Sequence, residues 1–96
     1  MVTEHAFIAV RPGAETEFES VLPDALAVIS AAPGCASARM LRGVERPSTF
    51  LLLVEWESVT AHTEGFRSSE AFTRWRSIIG PYLDGQPDVE HFAAQA

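Results

Sequence analysis

The sequence predicts a single α+β domain with the ferredoxin-like order β-α-β-β-α-β. Three observations predict it. An apolar stripe at helical spacing, Phe18, Leu22, Ala25 and Ile29, lies between a first strand and a pair of strands. A second stripe, Phe72, Trp75 and Ile79, lies between that pair and a last strand. The chain of 96 residues suffices for one core and not for two, so residues 1–96 form one unit.

Each element has its own signals. Residues 5–10 read as a strand, ended by the turn Arg11-Pro12-Gly13. Residues 14–31 read as a helix whose first turns carry Glu15, Glu17 and Glu19, where the helix dipole favours negative charge. Pro23 is expected to kink this helix or break its hydrogen-bond ladder, and Pro33-Gly34 ends it. Residues 35–43 read as an alanine-rich strand, Glu45-Arg46-Pro47-Ser48 as a turn, and residues 49–57 as the strongest strand. Ser58 is placed to cap a short helix over Val59–Glu64, with Gly65 closing it. Ser68 or Ser69 caps a helix over 70–79, which Gly80-Pro81 stops. Residues 87–94 make the last strand.

Strand parity then assigns faces. In the strand 49–57, Phe50, Leu52, Val54 and Trp56 point one way and Leu51, Leu53, Glu55 and Glu57 the other. The first strand divides into Ala6, Ile8, Val10 and His5, Phe7, Ala9. Both faces carry apolar groups, yet two helices cover only one. A homodimer packed sheet to sheet is the expected cover for the other.

Composition excludes several function classes. The net charge is −6, which disfavours sequence-independent nucleic-acid binding. The longest apolar run, Phe50 to Val54, is too short to span a membrane, and no basic start precedes an apolar stretch, so a cytoplasmic location is expected. Cys35 is the single cysteine, which excludes an internal disulfide framework and cysteine-based zinc sites. All seven basic residues are arginine, so Schiff-base chemistry on lysine is absent. No glycine-rich fingerprint follows a strand, and no flavin or nicotinamide site is suggested.

Residues 54–82 carry a family pattern: Val54-Glu55-Trp56-Glu57-Ser58, Ala61-His62, Gly65-Phe66-Arg67-Ser68-Ser69, Phe72, Trp75-Arg76 and Ile79-Gly80-Pro81. Arg11-Pro12-Gly13, Phe18-Glu19, Pro33-Gly34-Cys35 and Val89-Glu90-His91-Phe92 fit it as well. The chain resembles the antibiotic biosynthesis monooxygenase (ABM) domain family over nearly its whole length. The resemblance implies a dimeric α+β barrel built from ferredoxin-like protomers. It also implies a range of activities: cofactor-free oxidation of anthrone- or quinol-like polyketides by dioxygen, haem degradation, isomerisation, or none. Fold kinship does not choose among them.

His62 is the first catalytic candidate. Relatives often carry a histidine there, and an imidazole can take a proton from a phenol or an activated C–H. The competing reading is a histidine that orders the loop at Gly65. Arg76 is placed to hold a phenolate or enolate by a charge-assisted hydrogen bond, or else to pair with a surface glutamate. Trp75 and Trp56 are the candidate stacking surfaces, with Phe66 and Phe72 completing an aromatic wall, although a Trp-Phe-Ile stripe also suits a plain core. Tyr82, after Gly80-Pro81, is expected at the pocket mouth. Arg67 reads as a loop residue. His5, His62 and His91 lack the spacing of a local metal motif, so no metal is expected. Haem-degrading relatives use a helix histidine with an asparagine and a tryptophan, whereas residues 71–79 hold no histidine and the chain no asparagine.

The expectation is thus a cofactor-independent monooxygenase acting with dioxygen on a small planar aromatic substrate, with no cofactor of its own. The alternatives are a non-oxidative isomerase or cyclase, or a small-molecule-binding dimer of the same fold, with haem degradation behind both.

Overall fold

The computed structural model describes residues 1–95. Its strands are β1 (Val2–Ala9), β2 (Cys35–Arg42), β3 (Thr49–Trp56) and β4 (Asp88–Phe92); its main helices are α1 (Glu15–Ser30) and α2 (Glu70–Ile79). The order is the expected β-α-β-β-α-β, and the strands form one antiparallel sheet in the order β2-β3-β1-β4. The two central strands are the apolar ones. β3 buries Phe50, Leu52, Val54 and Trp56, and β1 buries Glu4, Ala6 and Ile8 on the same face. Both helices cover this face. Phe18, Ala25 and Ile29 from α1 and Trp75 and Ile79 from α2 join the strand residues in one core.

The strand boundaries differ from the sequence expectation in one consequential way. β1 begins at Val2, so Glu4 is a strand residue with its side chain on the helix-covered face. Pairing places Glu4 opposite Val54 on β3 and opposite His91 on β4.

At Pro23 the expected gap in the ladder is a single hydrogen bond, whereas the segment after β3 departs from expectation. α1 runs unbroken through Pro23. Proline removes the donor that would reach the Glu19 carbonyl. Both residues are exposed, so that carbonyl faces solvent and the ladder tolerates the gap. The segment after β3 is not a short α-helix closed by Gly65. It widens into a π-helix over Ala61–Phe66, which passes through Gly65 and closes with the Arg67 N–H donating to the His62 carbonyl at 3.0 Å. His62 and Phe66, four positions apart, are the buried residues of this turn. Ser58 caps it as expected, accepting from the Ala61 N–H at 3.1 Å. Ser69 is the cap of α2, accepting from the Phe72 N–H at 3.3 Å.

Gly34 sets the distance between the α1–β2 turn and this π-helix. Its φ is +84°, and a Cβ there would lie 2.8 Å from the Ala61 Cβ, so only glycine fits.

The opposite sheet face is uncovered. Register aligns Leu41, Leu51 and Phe7 in one row and Arg39, Leu53 and His5 in the next, with Phe92 beyond. Phe7 is 50% exposed, Leu41 40% and Phe92 41%.

Candidate functional site

A cavity of about 450 Å³ opens between the helices and the β1–β4 side of the sheet. The sheet contributes Glu4, Ala6, Ile8, Leu52 and Val89, the π-helix His62 and Phe66, α2 Phe72, Trp75, Arg76 and Ile79, and the loop before β4 Gln86 and Pro87. Most of its lining residues are apolar. Its polar groups are few: one carboxyl, one imidazole, one amide and the guanidinium groups of Arg67 and Arg76. This is the usual make-up of a small-molecule site.

The polar groups at the sheet end form a connected chain. Glu4 and His62 are each only 3% exposed. The Trp56 Nε1–H donates to Glu4 Oε1 at 2.9 Å. His62 Nε2 stands 3.4 Å from the same oxygen, longer than an ordinary hydrogen bond. On its other side, His62 Nδ1 lies 2.8 Å from Nε2 of His91, so one ring must donate and the other accept. The indole of Trp56 stacks on the His62 ring, with centroids 5.1 Å apart and planes within 10°, fixing the imidazole's orientation. His91 is half-buried on β4, the edge strand.

Burial dominates the electrostatics. It pushes the Glu4 carboxyl up from its ordinary value, against the hydrogen bond from Trp56 and the charge of Arg67. It lowers His62 to about 4, aided by Arg67 and His91. His91 is lowered as well, by burial and then by Arg67. Near neutral pH the pair of imidazoles is therefore uncharged, and the nearby positive charge is that of the arginines.

The sequence candidates separate into two groups. His62, Arg76, Trp75, Phe66 and Phe72 all line the cavity. The Arg76 guanidinium lies 5.8 Å from the centre of the Phe72 ring, and no glutamate or aspartate of the described residues pairs with it. Trp56 and Tyr82 are not among the lining residues. Trp56 is wholly buried behind His62, where its role is to hold Glu4 and the imidazole. Tyr82 packs edge-on to Phe18 at 6.2 Å, under α1, because the short 3₁₀ turn Gly80–Tyr82 carries it past the end of α2. Three residues escaped the sequence reading. Glu4 lay outside the expected strand, His91 was separated from His62 by 29 positions, and Arg67 reads as an ordinary loop arginine. Extending the alternation of Ala6 and Ile8 back by two positions would have found Glu4.

Comparison with known proteins places this geometry in a family. Residues 1–77 match the family model for antibiotic biosynthesis monooxygenase. The chain is 37% identical over 92 residues to YczJ, an uncharacterized protein of Bacillus subtilis strain 168, covering 96% of this chain and 97% of that one. A solved structure from Bordetella bronchiseptica, named for the same monooxygenase family, superposes with a TM-score of 0.94 at 34% identity, over 99% of this chain and 97% of the other. SnoaB, a cofactor-independent oxygenase from Streptomyces nogalater, shares the fold with a TM-score of 0.81 at 21% identity, over 99% and 93% of the two chains. On this evidence the chain belongs to the antibiotic biosynthesis monooxygenase (ABM) family.

Proposed function

We propose that this protein is a cofactor-independent monooxygenase that oxidises a small planar aromatic, anthrone- or quinol-like, with dioxygen. The observation that carries the reading is the make-up of the cavity. Buried acid–base groups, Glu4 and His62, share one space with the aromatic wall of Phe66, Phe72 and Trp75 and with two arginines.

Each part answers a requirement of the chemistry. Ground-state dioxygen is a triplet, and its direct reaction with a closed-shell molecule is spin-forbidden. An electron-rich anion escapes this by giving up one electron first. The site must therefore bind the aromatic, remove a proton, hold the anion and keep water out. Phe66, Phe72 and Trp75 supply the dry face. The acid–base work falls to the Glu4–His62 corner. Arg76 and Arg67 place positive charge where a phenolate or enolate forms. For an anthrone, the methylene becomes a carbonyl while dioxygen supplies that oxygen and is otherwise reduced to water. The uncovered sheet face, with Phe7, Leu41, Leu51 and Leu53, is the surface through which two protomers pair into the closed α+β barrel.

The test is dioxygen uptake by chelator-treated protein with a panel of anthrones and hydroquinones, beside the His62→Ala variant. Uptake above the uncatalysed rate that falls at least tenfold in the variant is expected. Conversion of the same compounds without oxygen consumption would move the protein to the isomerase reading, which the Glu4–His62 pair serves equally well.

A further inference from the structure

We propose that Glu4, His62 and His91 form a proton relay: Glu4 takes the proton from the molecule in the cavity, and His91 passes one to solvent at the edge of β4. The proposal rests on the reading above only in that the bound molecule is deprotonated in this cavity.

The first argument is connectivity. Glu4 and His62 both line the cavity and stand 3.4 Å apart, His91 on the edge strand lies 2.8 Å from His62, and exposure rises only at His91. The second is which atoms remain available. Glu4 Oε1 is engaged by Trp56 and faces His62, whereas Oε2 has no hydrogen-bond partner among the described residues. His62 Nδ1 is engaged by His91, and His62 Nε2 stands 3.4 Å from Glu4 Oε1 without forming a hydrogen bond, so Glu4 Oε2 is the unengaged carboxylate oxygen on this side of the cavity.

The third argument is proton bookkeeping. With Glu4 ionised, His62 Nε2–H points at Glu4 Oε1, and His91 Nε2–H donates to His62 Nδ1. When Glu4 gains a proton, the chain reverses: the carboxyl O–H faces His62 Nε2, and His62 Nδ1–H donates to His91 Nε2. The reversed state holds one proton more, with neutral Nδ1–H tautomers on both rings; when that proton comes from the substrate through Oε2, the carboxyl turns and each ring exchanges its Nε2 proton for one on Nδ1 by way of a transient imidazolium. Loss of the His91 Nδ1 proton to solvent, with one shift along each link, restores the first state. No imidazolium need persist, which suits rings that burial and Arg67 hold neutral. The other ionisable groups facing the relay are Arg67, Arg76 across the cavity and the Cys35 thiol on β2.

The relay predicts a tautomer switch that needs no substrate. Nitrogen-15 NMR of the histidine-labelled free protein, from pH 8 down to pH 4.5, reads it directly. The expected result is a neutral His62 carrying its proton on Nε2 at high pH and on Nδ1 once Glu4 is protonated. In Glu4→Gln, which keeps an acceptor for Trp56, His62 stays in the Nε2–H form until it becomes cationic. A wild-type His62 that keeps one tautomer, or turns cationic first, overturns the proposal, as does a switch that survives in Glu4→Gln. In the functional arm the probe is a hydroxyanthraquinone dye whose colour reports its ionisation. Wild type should bind it as the anion and Glu4→Gln as the neutral form, while His91→Gln should still ionise it but release the proton to a pH indicator at least tenfold more slowly. Equal release rates in wild type and His91→Gln would remove His91 from the relay. The tautomer measurement uses no oxygen and no turnover, so it can fail while the oxygenase reading stands, and the reverse.

Discussion

Acidification should expose a stability loss that two buried groups hide from each other. His62 falls from 6.5 to about 4 on folding. A depressed imidazole contributes stability above its unfolded value and loses it as pH falls towards the folded one. Worked from those two values, the loss is about 2 kcal/mol by pH 5 and about 3 kcal/mol by pH 4. Glu4 acts with the opposite sign. Its carboxyl is raised by burial, so its contribution is present at low pH and is lost as pH rises through the folded value. Wild type therefore shows only the difference between the two. Glu4→Gln removes the carboxyl and leaves the causes acting on His62, which are burial, Arg67 and His91. Urea unfolding followed by tryptophan fluorescence, at steps from pH 7.5 to 4.5, should show Glu4→Gln losing about 2 kcal/mol by pH 5 relative to Glu4→Gln/His62→Gln. A constant difference between these two proteins, or one that favours the histidine in acid, would refute the reasoning. It would mean that His62 is held by a partner's charge rather than by burial.

The remaining predictions concern the frame around the site. Gly34→Ala should cost about 2 kcal/mol, because the left-handed backbone and the 2.8 Å approach to Ala61 both resist a Cβ; thermal melts measure it. Trp56→Phe should raise the Glu4 carboxyl further and cost roughly 1.5–3 kcal/mol, the range for a buried hydrogen bond to a charged group; denaturation at pH 8 reads the second effect. Ser69→Ala should cost about 1 kcal/mol through loss of the α2 cap, with oxygen uptake otherwise retained. Phe7→Arg should leave the fold intact, since the side chain is half exposed, and should sediment as a monomer, with wild type expected to sediment as a dimer.

The fold was legible because its signals are local and periodic. β3 alternates cleanly, α1 and α2 each show one apolar stripe, and Ser69 stands where a cap is needed. The cavity's aromatic wall was legible for the same reason: Phe72 and Trp75 share one face of α2. What was not legible depends on pairing and on backbone irregularity. The Glu4–His91 register joins residues 87 positions apart, and no property of either residue encodes it. The π-helix carries the turn on through Gly65 to Phe66, where a glycine is an ordinary stop signal. Trp56 shows the limit of composition as a guide. A tryptophan at the end of a strand suits a stacking surface, but strand parity sends it into the core, where its N–H is spent on Glu4.

That last pairing bears on why the carboxyl is there at all. β1 buries Glu4 in line with Ala6 and Ile8, positions where the core is otherwise apolar. An apolar residue would avoid the desolvation that raises the carboxyl, and it would need neither the Trp56 hydrogen bond nor a histidine beside it. The sheet therefore carries a local departure from its own pattern, and the departure faces a cavity. Such departures are expected where function opposes folding. Replacing the whole cluster tests this: Glu4→Leu with Trp56→Phe and His62→Leu should fold at least as stably as wild type at pH 8 while abolishing activity. A triple variant that unfolds would show instead that the polar chain is part of what holds β1, β3 and the π-helix together.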